Sequence, residues 1–315
     1  MAGKWNPLLI AVVGIAMLIS SLYFYYNWKH GAYMKIEGTL LLPINFNEKE
    51  IGKQAGIYQI FSLKWISDKP YFSDIRYEKY AFPIIKGETL ICVVKDKETG
   101  CYAIIKVKNG QINQLMNSEN EIRFPVVSDD LNTIWYLQNG ENSSLNSLWK
   151  YNRTTGEKKK IFDDHISLSS SILVSPDGSI ILTQNSPKVD GYSRIIRIFP
   201  TGEINVLLSQ SNSPAWYEEG KSIIYRDIKK QINKYDLETG EIINLGSDDR
   251  WWMYSPVVSP DKKNLLITEY ALIQIFGGER DRCLKVISID GRVERKIKFL
   301  EDGLKPWRSE AIWIK

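Results

Sequence analysis

The chain has 315 residues, of which 43% are apolar and 25% are charged, a composition that excludes a disordered protein and allows a large buried core. The 41 lysines and arginines are interleaved with 37 aspartates and glutamates, and the net charge of +4 argues against nucleic-acid binding. Three cysteines without metal-binding spacing, Cys92, Cys101 and Cys283, argue against a disulfide framework and a zinc site. Cys92 and Cys101 either pair across a hairpin or remain free thiols.

Residues 1–30 predict a transmembrane signal-anchor. No charged side chain occurs between Pro7 and Asn27, and residues 8–22 are almost wholly apolar. About 20 such residues in a helix span the roughly 30 Å hydrocarbon core of a bilayer. Aromatic side chains, which favour membrane interfaces, flank the segment: Trp5, Tyr23, Tyr25, Tyr26 and Trp28. A cleaved signal peptide is the alternative, but no small-residue cleavage site follows Leu18.

From residue 80 onward the sequence repeats a unit of strand, polar turn and strand. The unit opens at six positions that lie 42, 46, 43, 42 and 50 residues apart: Pro83, Pro125, Ser171, Pro214, Pro256 and Pro306. In the first five units a third strand, a glycine turn and a fourth strand follow, and glycine tolerates the positive φ of tight hairpins. Four antiparallel strands at this period predict the blades of a β-propeller.

The last unit supplies only part of a blade. We expect its first strand at residues 305–309 and its second strand at residues 311–314. Because an incomplete sheet would expose an unpaired edge, we expect two strand-like runs near the N-terminus, residues 39–42 and 57–61, to complete it. The predicted fold class is therefore an all-β, six-bladed propeller preceded by one transmembrane helix. Five or seven blades are the alternatives if residues 33–80 are used differently.

Three segments resemble the repeats of the TolB-like (WD40-like) six-bladed propellers. They are the Ser-Pro-Asp-Gly turn at residues 175–178, its variant at 259–262, and the stretch at 235–241. The resemblance covers about residues 80–315. It implies the propeller fold and, because the periplasmic members bind partners, a protein or peptide ligand. It carries over no catalytic residue and implies no cofactor, and the fold serves many functions.

These patterns divide the chain into a membrane anchor (1–30), a juxtamembrane segment with strands that close the last blade (31–79), and propeller repeats (80–315). The charges on either side of the anchor are nearly balanced, so the positive-inside rule gives little guidance. We expect the propeller on the extracytoplasmic side of the cell membrane, because a short N-terminal signal-anchor ordinarily exports the domain that it tethers.

Binding residues are expected on loops that enter the innermost strands, since rigid scaffolds carry function on such loops. The loop at residues 248–254 is the richest in Trp, Tyr and Arg, the side chains that dominate binding hot spots. The predicted binding residues are Arg250, Trp251, Trp252 and Tyr254 in this loop, with Tyr80, Arg123, His165 and Trp307 on the same face. The alternative is that the tryptophans pack between blades or cover a blade edge.

The turn aspartates Asp177 and Asp261 are expected to cap their own turns, and the lysine run at 158–160 to be solvated. The sequence contains no calcium-binding loop, serine-nucleophile elbow or phosphate-binding loop. It therefore favours a binding scaffold without catalysis, with a protein, peptide or envelope polymer as partner. The rival is a propeller lyase or glycoside hydrolase with a pocket at the mouth of the ring, because paired carboxylates need no local motif.

Overall fold

The structure is a computed structural model that describes residues 39–44, 56–62, 65–66, 70–139, 146–167, 171–185, 193–247, 256–270, 282–289, 294–297 and 312–314. These residues form β-strands, turns and irregular connections, and none of them is helical. No helix long and apolar enough to cross a membrane is found in this part of the chain. The predicted anchor at residues 1–30 lies outside the described residues.

The described strands pair antiparallel and fall into groups of four. Three strands come first: β1 (Thr39–Ile44), β2 (Gly56–Ser62) and β3 (Trp65–Ile66). Unit 1 consists of β4 (Tyr77–Lys86), β5 (Thr89–Asp96), β6 (Tyr102–Lys108) and β7 (Gln111–Ser118). Unit 2 consists of β8 (Ile122–Val127), β9 (Thr133–Asn139), β10 (Asn146–Asn152) and β11 (Lys158–Ile166).

Three further groups follow. Unit 3 consists of β12 (Leu173–Val174), β13 (Ile180–Asn185), β14 (Ser193–Ile198) and β15 (Ile204–Leu208). Unit 4 consists of β16 (Ser211–Glu218), β17 (Ser222–Asp227), β18 (Gln231–Asp236) and β19 (Ile242–Ser247). Unit 5 consists of β20 (Val257–Val258), β21 (Asn264–Tyr270), β22 (Arg282–Ser288) and β23 (Glu294–Ile297), and the final strand is β24 (Ile312–Ile314). The repeat predicted from the sequence thus corresponds to these four-stranded units.

Units 2 and 3 share one eight-stranded sheet because β11 belongs to both. Most of β11 pairs with β10 as the outer strand of unit 2. At its end, Ile166 pairs with Gln184 of β13, and the Ser167 amide donates to the Thr183 carbonyl at 3.1 Å. The chain therefore passes from the outside of one unit to the inside of the next without leaving the sheet.

The closing sheet has the strand order β24-β1-β2-β3 and joins the two ends of the chain. Thr39 pairs with Ile314, and Leu41 pairs with Ile312. β24 contacts β20 and β4, which are the first strands of units 5 and 1. The predicted first strand at residues 305–309 lies outside the described residues. Among the described strands, β24 stands at the edge of its sheet and contacts first strands of other units, so it holds the position of a first strand rather than that of the predicted second strand. Three N-terminal strands, rather than the two that were expected, complete this sheet.

The core consists of apolar layers between successive sheets. Leu41 and Ile57 of the closing sheet pack against Tyr80, Leu90 and Cys92 of unit 1, and all five are buried. Similar layers lie between the later units. Second strands are covered on both faces, so β5, β13 and β17 each bury five consecutive residues. This explains why these strands have continuous apolar runs instead of an alternating pattern.

A β-bulge recurs in the first strands of units 1, 2 and 4. The pairing register shifts around Phe82, Phe124 and Ser213, which have φ values of 50°, 46° and 56° and each precede a proline. A left-handed conformation costs an L-residue roughly 1–2 kcal/mol, and the following proline donates no ladder hydrogen bond. The Phe82 and Phe124 rings lie 4.7 Å apart, so the bulges bring side chains of neighbouring first strands into contact.

The turns between first and second strands confirm the capping role of the aspartates. Asp177 Oδ1 accepts a hydrogen bond from the Ser179 amide at 2.9 Å, and Asp261 Oδ1 accepts one from the Lys263 amide at 3.1 Å. Asp130 does the same with the Asn132 amide at 3.0 Å. Unit 2 therefore forms this turn although its sequence departs from the Ser-Pro-Asp-Gly pattern.

Replacement of Gly220 with alanine is expected to destabilise the protein more than the same change at Gly87. Both glycines have positive φ, so each change introduces backbone strain of about 1–2 kcal/mol. A Cβ at Gly220 would also lie 2.7 Å from Pro176 Cδ in the preceding unit, whereas one at Gly87 would meet nothing within 4 Å. Urea denaturation should give a loss of about 2–4 kcal/mol for Gly220→Ala.

The variant Pro176→Ala supplies the control for this contact. In the Pro176→Ala background, Gly220→Ala should cost little more than Gly87→Ala, because the clashing ring is gone. Equal losses for Gly220→Ala and Gly87→Ala in the native background would contradict the close approach of the two turns.

Candidate functional site

The two ends of the units differ in what they carry. The turn end carries the tight turns that follow the first strands, including Gly87, Gly178 and Gly220. The loop end carries the connections that lead into the first strands, such as residues 119–121 and the Ile166 crossover. β24 holds the position of a first strand, so it ends at the turn end. Thr39, the first residue of β1, pairs with Ile314, the last residue of β24, and therefore also lies at the turn end. The predicted binding residues that the structure describes belong to the loop end.

Arg123 lies in a charged cluster that links units 1 and 2. Its side chain donates to Glu121 Oε2 from Nε at 3.0 Å and from Nη2 at 2.5 Å. Lys79 of β4 donates to the other oxygen of the same carboxylate at 2.7 Å, and its ammonium lies 5.4 Å from the centre of the Tyr102 ring. Arg123 is only 7% exposed. The cluster is therefore held in one geometry by two neighbouring first strands.

The environment keeps Glu121 ionised. Burial raises the pKa of its carboxyl, but the hydrogen bonds from Lys79 and Arg123 outweigh that effect, and the pKa lies below its ordinary value. Hydrogen bonds to the charged form favour that form. The cluster thus holds one carboxylate between two cations, which fixes the position of each side chain at the loop end.

His165 lies in a second polar group, at the crossover from unit 2 to unit 3. Its Nδ1 donates to Asp164 Oδ1, and its backbone is left-handed with φ of 53°. Gln184 Nε2 donates to Asp164 Oδ2 at 2.7 Å, and Arg194 Nε donates to Gln184 Oε1 at 2.8 Å. The His165 side chain is 42% exposed. It is therefore accessible to a partner and oriented by a chain of hydrogen bonds.

Tyr80 occupies a different environment from Arg123 and His165. Its side chain is 0% exposed; its hydroxyl accepts from the Asp74 amide at 2.6 Å and donates to the Asp74 carbonyl at 2.8 Å. Burial raises the pKa of this hydroxyl. Tyr80 secures the segment that leads into β4, and it offers no surface to a partner in this structure.

The other predicted binding residues, Arg250, Trp251, Trp252, Tyr254 and Trp307, lie outside the described residues. Sequence reasoning did not single out Lys79 and Glu121, which complete the cluster around Arg123. Their spacing in the sequence could have indicated the contact, because these two opposite charges are 42 residues apart, the length of one repeat.

The described part of the chain contains no group of three or more His, Cys, Asp or Glu side chains placed to hold a metal ion. Cys92 and Cys101 are both free thiols. Cys92 is buried in β5, and this burial raises the pKa of its thiol.

Comparisons with known proteins identify the fold. No protein-family model and no curated protein matches the sequence. Among solved structures, TolB from Acinetobacter baumannii matches with a TM-score of 0.64 and 16% identity, over 89% of this chain and 67% of that one. A structure assigned as TolB from Agrobacterium tumefaciens matches with a TM-score of 0.52 and 13% identity, over 82% of this chain and 87% of that one.

A third match is a chain of a nidogen/laminin complex, with a TM-score of 0.56 and 9% identity, over 88% of this chain and 98% of that one. At these identities the likeness concerns the fold. The protein is therefore an all-β, TolB-like β-propeller, as the repeats predicted.

Replacement of Glu121 with glutamine is expected to destabilise the protein in a pH-dependent way. At neutral pH the change removes the carboxylate between Lys79 and Arg123, and the loss should be about 1–3 kcal/mol. Because the folded pKa of Glu121 is lowered, its stabilising effect is complete above its ordinary value of 4.5. That effect is lost as the pH falls through the folded pKa.

Unfolding of the native chain and of Glu121→Gln should be compared between pH 7 and pH 3. The exposed neighbour Glu119 provides a matched control, and Glu119→Gln should change stability by less than about 0.5 kcal/mol. A stability difference for Glu121→Gln that stays constant to the lowest pH would contradict the lowered pKa.

Proposed function

We propose that the protein is a membrane-tethered, six-bladed propeller that binds a protein or peptide partner at its loop end without catalysis. The observation that carries this proposal is the pair of ordered charged groups around Arg123 and His165, which lie at successive unit boundaries at that end. Charged groups that are already held in place lose little freedom on binding, and preorganisation of this kind favours recognition.

The six-bladed count is supported by the contacts of the first strands. β24 contacts β20 and β4, β4 contacts β8, and β16 contacts both β12 and β20. Five units and the closing sheet each supply four described strands. A closed ring of six blades, joined through β24 and β1, accounts for these contacts and removes the open edge that an incomplete sheet would leave.

The direction of β1 supports the loop end as the accessible end. β1 starts at the turn end, so we expect a tether in residues 1–30 to join the ring on that side. In this proposal the loop end faces away from the membrane. The segment at residues 248–254 connects β19 to β20, just as residues 119–121 connect β7 to β8. Its Trp, Tyr and Arg side chains would join Arg123 and His165 in one partner-binding surface on the extracytoplasmic side.

A protein partner is also consistent with the similarity to a chain of the nidogen/laminin complex, an assembly of two proteins. Propellers of this kind present a rigid ring whose loops vary in sequence while the strands keep the fold. The mechanism we propose is recognition by aromatic and charged loop residues that strands hold in a fixed arrangement.

The double variant Trp251→Ala, Trp252→Ala is expected to reduce partner capture at least thirtyfold, because the loss of a single hot-spot residue, about 2 kcal/mol or more, already gives a change of this size. The full chain should be used as bait in a membrane extract, with crosslinking and mass spectrometry to identify bound proteins. Thermal unfolding of the double variant should match that of the native chain, which would separate loss of binding from loss of fold.

Lys221→Ala serves as the control, because Lys221 is exposed and lies at the turn end. This variant should recover the same partners as the native chain. Unchanged capture by the tryptophan double variant would contradict the assignment of the loop end. Loss of capture by Lys221→Ala would contradict the proposal and assign the binding surface to the turn end.

A further inference from the structure

The outer hairpin of unit 2 carries a concentration of positive charge. Residues 146–166, which include β10 and β11, contain five lysines and arginines and three acidic residues. The corresponding hairpin of unit 4, residues 231–247, contains one lysine and three acidic residues. The distinguishing feature of the unit 2 hairpin is the run of three consecutive lysines, Lys158, Lys159 and Lys160, at the start of β11.

Two of these lysines oppose one another in the strand ladder. Lys150 of β10 pairs directly with Lys159 of β11, and both are exposed. Side chains of directly opposed residues start only about 4.5–5.5 Å apart, and like charges at such positions are destabilising. The fold alone gives no reason for this pair.

The described residues provide little neutralising charge for this hairpin. Lys160 forms an ion pair with Asp163 at 2.7 Å. Lys158 donates to the Asn117 carbonyl at 3.3 Å and lies 5.9 Å from the Tyr151 ring centre. Lys150 lies 5.9 Å from the ring centre of Trp135. No carboxylate among the described residues lies within ion-pair distance of Lys150, Lys158 or Lys159, which leaves three exposed cations available to a ligand.

Protection of a sheet edge does not account for the whole arrangement. Lysines on an outer strand discourage pairing with another chain, and this explains charges on β11. However, the outer strands β7, β15 and β19 contain no charged residue, and in β23 the cations Arg295 and Lys296 are accompanied by Glu294. Lys150 lies on the third strand, β10, rather than at the edge. The charge extends inward over aromatic rings, as in surfaces that bind polyanions.

We propose that the β10–β11 hairpin binds a linear polyol phosphate, a polymer of the poly(glycerol phosphate) type, in addition to the partner bound at the loop end. Successive residues of a strand point to opposite faces, so Lys158 and Lys160 project from one face of β11 and Lys159 from the other. A flexible polyanion can follow such a row around the strand, whereas a flat bilayer cannot contact both faces at once. Bound phosphates would relieve the repulsion between Lys150 and Lys159.

The test uses the purified full chain in detergent micelles and a fluorescent synthetic poly(glycerol phosphate) as the probe. Fluorescence anisotropy should show that Lys159→Glu weakens binding at least tenfold. Lys150→Ala should reduce the dependence of log affinity on log salt concentration by about one unit, as expected for the loss of one phosphate contact. Lys159→Glu should also raise the midpoint of thermal unfolding, because it replaces a repulsive pair with an attractive one.

Lys229→Glu provides the charge-matched control, since Lys229 is exposed in unit 4, and it should bind the polymer as the native chain does. Equal polymer affinities for Lys159→Glu and Lys229→Glu would overturn the proposal. Binding of phosphatidylglycerol vesicles without binding of the polymer would overturn it in favour of a membrane contact. Self-association of Lys159→Glu with unchanged polymer affinity would assign the lysines to edge protection alone.

The proposal for this hairpin and the proposal for the loop end can be tested independently. Lys159→Glu should capture the same protein partners as the native chain, and the tryptophan double variant should bind the polymer normally.

Discussion

The structure depends on the pairing of β24 with β1. Each sheet buries its faces against the sheets before and after it, so the apolar layers are complete only when the first and last units also meet. The closing sheet provides this contact, because Leu41 and Ile57 lie in the same buried layer as Tyr80 and Leu90 of unit 1. Antiparallel pairing between the two ends of the chain therefore links local strand formation to the stability of the whole domain.

Neighbouring units are further linked by charge pairs spaced by about one repeat. Lys79 and Glu121 are 42 residues apart, Lys86 and Asp129 are 43 apart, and Glu218 and Lys262 are 44 apart. The pair Lys79–Glu121 lies at the loop end, and the other two lie at the turn end. Exposed ion pairs contribute little stability individually. The half-buried pair at the loop end has more influence, because it fixes the position of Arg123.

The backbone also determines which side chains reach the candidate site. The bulge at Phe124 immediately follows Arg123, and His165 itself has a left-handed backbone. Strained positions of this kind persist only when the surrounding packing holds them, and they concentrate at functional sites. The contact between the tilted rings of Phe82 and Phe124 supplies such packing. Fold stability and the geometry of the loop end are therefore coupled through the same first strands.

Much of the fold could be predicted from the sequence because repeated local patterns specify it. The buried runs of β5, β13 and β17, together with their polar turns, are visible in the sequence itself. The prediction that Asp177 and Asp261 cap their turns is confirmed, because an Asp carboxylate readily accepts a hydrogen bond from the backbone amide two residues further along the chain. The role of β24 was harder to predict, since three N-terminal strands join it over a separation of more than two hundred residues.

The candidate site was less predictable because burial and partners depend on tertiary contacts. Arg123 and His165 were placed at the loop end by their position in the repeat. Tyr80 has the same kind of position, yet its side chain turns into the layer between the closing sheet and unit 1. Its aromatic character gave no means of distinguishing a core residue from a binding residue. Glu121 was missed because its importance lies in the contact with Lys79 across two units.

The most direct test of this account is disulfide trapping of the closing sheet. Leu41 pairs with Ile312 and Leu40 with Trp313, and Cα atoms of opposed antiparallel residues lie about 4.5–5.5 Å apart, within disulfide range. In a Cys101→Ser background, Leu41→Cys with Ile312→Cys, or Leu40→Cys with Trp313→Cys, should form an intramolecular disulfide, identified by mass spectrometry of proteolytic fragments. The displaced combination Leu41→Cys with Ile314→Cys should remain largely reduced. Absence of the disulfide in both registered variants, or equal crosslinking of the displaced one, would contradict closure through β24 and β1.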